Sequence, residues 1–132
     1  MCLISYNTDP STARIDIGCC KIYKRSSTGW TSLYKDYPMT DLDKLDTTEL
    51  QRPGDFYIEK GFHSFAYLSD AEYVAERFSR MHKCETCIVK CIIPKGSRYY
   101  VGKYSLNISY CSESIILKKT IKKIWINAHY KN

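Results

Sequence analysis

Gly61-Phe62-His63-Ser64-Phe65, separated by three residues from Ser69-Asp70-Ala71-Glu72, is the stretch on which the fold turns. Gly61 lets two backbones approach closely, and Phe62 and His63 fall on alternate faces of a short strand. Ser69-Asp70-Ala71-Glu72 has the form of a capping box, so a helix is expected from Asp70 to about Met81. Ala71, Val74, Ala75 and Phe78 keep helical spacing on one face, while Glu76 and Arg80 can pair one turn apart on the other.

Upstream, Gly18-Cys19-Cys20-Lys21-Ile22-Tyr23-Lys24-Arg25 reads as a strand ended by the turn residues Ser26-Ser27-Thr28-Gly29. Thr31 to Asp55 reads as a long connection with a helical turn near Leu42 to Leu50, and Phe56-Tyr57-Ile58-Glu59 as a short strand. Downstream, Thr86 to Ile93 is a strand ended by Pro94-Lys95-Gly96, read as a type I turn with Pro second and Gly fourth. Arg98 to Val101 is a further strand, and a loop leads on to Ser112-Glu113-Ser114-Ile115-Ile116-Leu117. Several strands around one well-formed helix predict an α+β fold with a curved or split, mostly antiparallel sheet.

The 132 residues suit one domain, with 1–17 as an N-terminal arm and 118–132 as a basic C-terminal segment. No window approaches the roughly 18 apolar residues of a membrane span, and the N-terminus lacks a signal-peptide pattern. A cytoplasmic protein with no membrane role is expected, and Asn107-Ile108-Ser109 then reads as a turn rather than a glycosylation site. Seven cysteines without a paired framework are expected to be reduced thiols. Cys84-Glu85-Thr86-Cys87 has the spacing of a zinc knuckle that His82, Cys91 or Cys111 could complete. Cys87, Val89, Cys91 and Ile93, however, share one face of a period-two strand, which favours core packing over a metal. Cys19-Cys20 is read the same way.

The net charge of +6 is concentrated in Lys118-Lys119-Thr120-Ile121-Lys122-Lys123, with Lys131 beyond. With Ile121, Ile124, Trp125 and Ile126 interleaved, this is expected to be a terminal strand or short helix that docks its apolar side chains and keeps its lysines wet. Tyrosines and tryptophans could stack on single-stranded nucleic acid, but no nucleic-acid module accompanies them.

Taken in order, Arg25 at the end of a first strand, His63 and Ser64 before a helix, and Glu113 introducing a late strand resemble the motifs of the ADP-ribosyltransferase superfamily. The Ile93-Pro94-Lys95-Gly96-Ser97 segment resembles the strand and turn between its second and third motifs. The resemblance runs from about Cys19 to Leu117 and implies a ligand-binding role for Arg25, His63 and Ser64 and a catalytic carboxylate at Glu113. In active members an aromatic clamps nicotinamide, and a carboxylate stabilises the oxocarbenium-like centre formed as NAD loses it. Here His63 stands where many relatives carry Tyr, Arg25 is not followed by Gly or Thr, and Cys111 stands where a second acidic residue would precede Glu113.

A second resemblance, carried by Met1 to Ser5, Cys20 to Tyr23, Gly61 to Phe65 and Ile92 to Tyr100, is to small proteins of gut bacteria, their mobile elements and phages. Together the two imply an accessory protein that binds a nucleotide or a host or defence protein and needs no cofactor. An active mono-ADP-ribosyltransferase using NAD and a structural assembly subunit are the alternatives.

Overall fold

The computed structural model describes residues 3–54 and 57–125. Among them are β1 (Leu3–Ser5), β2 (Ser11–Thr12), β3 (Ile17–Ser26), β4 (Gly29–Ser32), β5 (Leu45–Thr47), β6 (Tyr57–Ile58) and β7 (Phe62–Phe65). The helix α1 (Leu68–His82) follows, then β8 (Thr86–Ile93), β9 (Arg98–Tyr104), β10 (Asn107–Ser112) and β11 (Ser114–Ile124). The strands form one curled antiparallel sheet in the order β5-β11-β8-β3-β7-β10-β9-β1-β6, with β4 on β3 and β2 on β9. The fold is α+β. Within the segment expected to be an N-terminal arm, β1 lies in this sheet between β9 and β6, and Leu3 is fully buried.

The centre of the sheet follows from its period-two strands. Cys87, Val89, Cys91 and Ile93 on β8 join Cys19, Tyr23, Ile115 and Leu117 in one apolar cluster. The thiols act there as small buried hydrophobes. Cys20, Ile22 and Ile88 face the other way, against Ala71, Val74, Ala75 and Phe78 of α1. Full burial of a large apolar side chain contributes about 1.5–3 kcal/mol, so this stripe fixes α1 on the sheet.

At the start of α1 the capping box does not form. Tyr67, extended at φ −120° and ψ 138°, is the N-cap residue and makes no side-chain cap. Its carbonyl accepts from Ala71 N at 3.2 Å, which places Ser69 inside the first turn. Glu72 binds Lys122 of β11 instead of reaching back (Nζ to Oε2, 2.5 Å). No ion pair joins Glu76 to Arg80 among the described residues; the wet face carries an Arg77 to Tyr73 hydrogen bond of 3.2 Å. Lys83, left-handed at φ 51°, ends the helix.

Four further expectations are corrected. The helical turn near Leu42 to Leu50 is replaced by β5, paired with Ser114 to Ile116, because Asp43 sits at φ +59° and interrupts any helix. The Pro94 turn is shifted by one residue: Ser97 N donates to Pro94 O at 3.1 Å, with Gly96 at φ +93° as a type II turn requires. Asn107-Ile108-Ser109 is strand, not turn; the reversal is Ser105-Leu106, with Ser105 at φ +57°. In the basic segment β11 runs on to Ile124 as one of the two forms expected, with Lys118 to Lys123 exposed, but Ile121 and Trp125 are exposed as well rather than docked. Phe56, Ile126 and Lys131 lie outside the described residues. No helix among the described residues is long and apolar enough to cross a membrane.

Candidate functional site

The sheet divides at one place. β3 and β7 share the single pair Cys20 and Phe65; beyond it β3 runs on with β8 and takes up β4, while β7 stays with β10. A cavity of about 730 Å³ opens at this fork. Its size falls in the range of small-ligand sites.

Gly61 brings the chain into this position. At φ +134° its backbone is in a region that L side chains rarely adopt, and a Cβ there would run into Cys111 Sγ and approach Leu50 Cδ1 to 3.0 Å and Ser112 O to 3.2 Å. Glycine is therefore the residue that lets the entry to β7 lie against β10.

Lys21 is the first residue of β3 past the fork. Its ammonium reaches across and donates to His63 O at 2.9 Å, so a side chain bridges the two strands where they have parted. Lys21 Nζ also lies 5.6 Å from the centroid of the Tyr23 ring. Among the described residues no carboxylate pairs with it, and burial lowers its proton affinity below that of an ordinary lysine.

His63 lines the same cavity. Its Nε2 lies 2.9 Å from Glu59 O, and since a carbonyl can only accept, Nε2 carries the proton. Nδ1 is then the unprotonated nitrogen, buried and without a hydrogen-bond partner. Burial lowers the pKa from 6.5 to about 4, against the opposing effect of the Glu59 carbonyl. Cys111 Sγ lies 3.7 Å from Nε2 and donates to Lys60 O at 3.3 Å. Because Nε2 already holds its proton, it cannot take one from the thiol, whose pKa burial pushes up to about 12. The pair is not an activated nucleophile.

The remaining lining combines three chemistries. Tyr34, Tyr37, Phe62 and Phe65 supply aromatic surface; Lys35 and Lys60, both exposed, add cations near the mouth; Asp46, Glu49 and Glu59 add carboxylates. Tyr34 is held edge-on to Phe78 of α1, at 5.9 Å between centroids and 89° between planes, and its hydroxyl bonds Tyr104 Oη at 2.6 Å.

Of the four residues singled out in the sequence, His63 lines the cavity and the other three are outside its lining. Arg25 stacks on Trp30, 5.4 Å from the ring centroid, and lies 4.0 Å from Glu85 Oε1. Ser64 is fully buried beside the Cys19 thiol. Glu113 accepts from Arg98 N at 2.8 Å and from the Arg98 guanidinium at 3.3 Å. Sequence reasoning passed over Lys21, although a lysine between Cys19 and Tyr23 on an otherwise apolar strand face is a legible signal. Comparison of the chain with protein-family models, curated proteins and solved structures returns no match in any of the three.

Proposed function

We propose that the protein binds a nucleotide-type small molecule in the cavity at the fork, on a scaffold of ADP-ribosyltransferase-like character. The observation that carries this reading is the mixed lining. Aromatic rings suit a flat base, lysines suit phosphate, and Asp46 and Glu49 suit ribose hydroxyls, all within one volume of about 730 Å³. Binding is favoured over group transfer because Glu113, the residue that the resemblance would make catalytic, is engaged by Arg98 and lies outside the lining.

Titration calorimetry and thermal unfolding with ADP and with NAD test the reading. A ligand present at 100 times its Kd adds about 2.7 kcal/mol to the stability of the folded state, a readily measured rise in melting temperature. Absence of both heat and thermal shift with either ligand at millimolar concentration overturns the proposal. Transfer of label from NAD to protein or nucleic acid, lost in Glu113→Ala, would replace it with the transferase reading.

A further inference from the structure

The geometry points to Lys21 as a reactive amine that forms an imine with a carbonyl group on a ligand held in the fork cavity. The inference rests on that cavity being a ligand site, and it adds a covalent chemistry and a ligand class, aldehydes or ketones bearing a ring or an anionic group.

Two lines of geometry support it. Lys21 lines the cavity, whereas the lysines held in ion pairs, Lys24 with Asp36, Lys118 with Asp43 and Lys122 with Glu72, lie outside it. The titratable groups around it are the thiols of Cys19, Cys91 and Cys111, the His63 imidazole and the Tyr23 phenol, and Lys35, Lys60, Asp46, Glu49 and Glu59 line the same cavity. With no carboxylate paired to it, the ammonium form is held only by the His63 carbonyl, the Tyr23 ring and the neighbouring thiols, and the cost of burial outweighs them. A buried, unpaired lysine is the usual way in which a protein makes this amine nucleophilic at neutral pH.

The chemistry balances without an oxidant or reductant. The ammonium loses one proton to solvent, the Nζ lone pair adds to the carbonyl carbon, and the carbinolamine loses water to leave C=N.

Pyridoxal 5′-phosphate, which carries a ring, a phosphate and an aldehyde, is the probe. The intact protein is treated with one equivalent at neutral pH, reduced with borohydride and mapped by peptide mass spectrometry. Lowering the proton affinity of a lysine raises its neutral fraction, so label is expected on Lys21 in clear excess over Lys118 and Lys119. Lys21→Arg, which can keep the charge and the bond to His63 O, is expected to lose the label. Label spread evenly over exposed lysines, or absent from Lys21, overturns the inference, and the mapping of the unaltered protein decides this even if the variant fails to fold. ADP binding without labelling at Lys21 sinks the imine and spares the nucleotide reading. Labelling at Lys21 that excess ADP does not slow supports the imine and counts against the nucleotide.

Discussion

Acidification should weaken this fold through His63. The imidazole is held neutral by burial, with a pKa of about 4 against an ordinary 6.5. Between those values the unfolded chain binds the proton and the folded chain does not, so lowering the pH favours unfolding. The contribution is therefore fully present above about pH 6.5 and is lost as pH falls through about 4. A gap of about 2.5 units at about 1.4 kcal/mol each corresponds to about 3 kcal/mol in full, of which about 2 kcal/mol is lost by pH 5. Urea unfolding of the protein and of His63→Gln, at about pH 8 and about pH 5, isolates this effect, because carboxylate protonation is common to both and cancels in the difference. The unaltered protein should lose about 2 kcal/mol more than the variant over that interval. Equal losses in the two proteins would refute the assignment of a buried, neutral His63.

Phe78→Ala should cost about 3–5 kcal/mol in chemical denaturation, since the ring is buried under α1 and braces Tyr34; a loss below about 1 kcal/mol would make the helix peripheral. Gly61→Ala should destabilise by more than about 2 kcal/mol, combining a backbone at φ +134° with collision against Cys111, and a near-neutral melting curve would contradict that crowding. Glu113→Ala should cost on the order of 1–2 kcal/mol through its bonds to Arg98 and leave ADP affinity unchanged; a tenfold loss of affinity by calorimetry would bring Glu113 back into the site. Chelation should leave the melting temperature where it is, whereas one zinc per chain by elemental analysis would displace the core reading of Cys87 and Cys91.

The elements legible in the sequence were those with their own periodicity. β8 has the bounds its alternating Cys87, Val89, Cys91 and Ile93 indicate, and the buried face of α1 is the one its spacing indicates. What escaped is set by partners distant in the chain. β5, with three residues, and β2, with two, are too short to show a period and are strands because β11 and β9 lie beside them. The start of α1 followed the carbonyl of Tyr67 rather than the Ser69 and Glu72 signal, because Glu72 found Lys122 on a strand far along the chain. The cavity was hidden for the same reason. Lys21 and His63 are ordinary members of their strands until the parting of β3 from β7 leaves the His63 carbonyl facing an ammonium.

The fork also bears on how force and protection travel through the molecule. Backbone pairing spreads cooperativity from strand to strand, yet here one rung carries it between the block β5-β11-β8-β3 and the block β7-β10-β9-β1-β6. The join is also crossed by the apolar stripe beneath α1, the Lys21 strut, the Tyr34 to Tyr104 hydrogen bond and the packing of Phe62 and Tyr110 on the Cys19 cluster. Anything lodged in the cavity touches both blocks and becomes a further strut across the joint. Occupancy should therefore register far from the contact itself, as slowed amide exchange on the outer strands of each block, so that a seam which weakens the empty protein turns a local binding event into a property of the whole sheet.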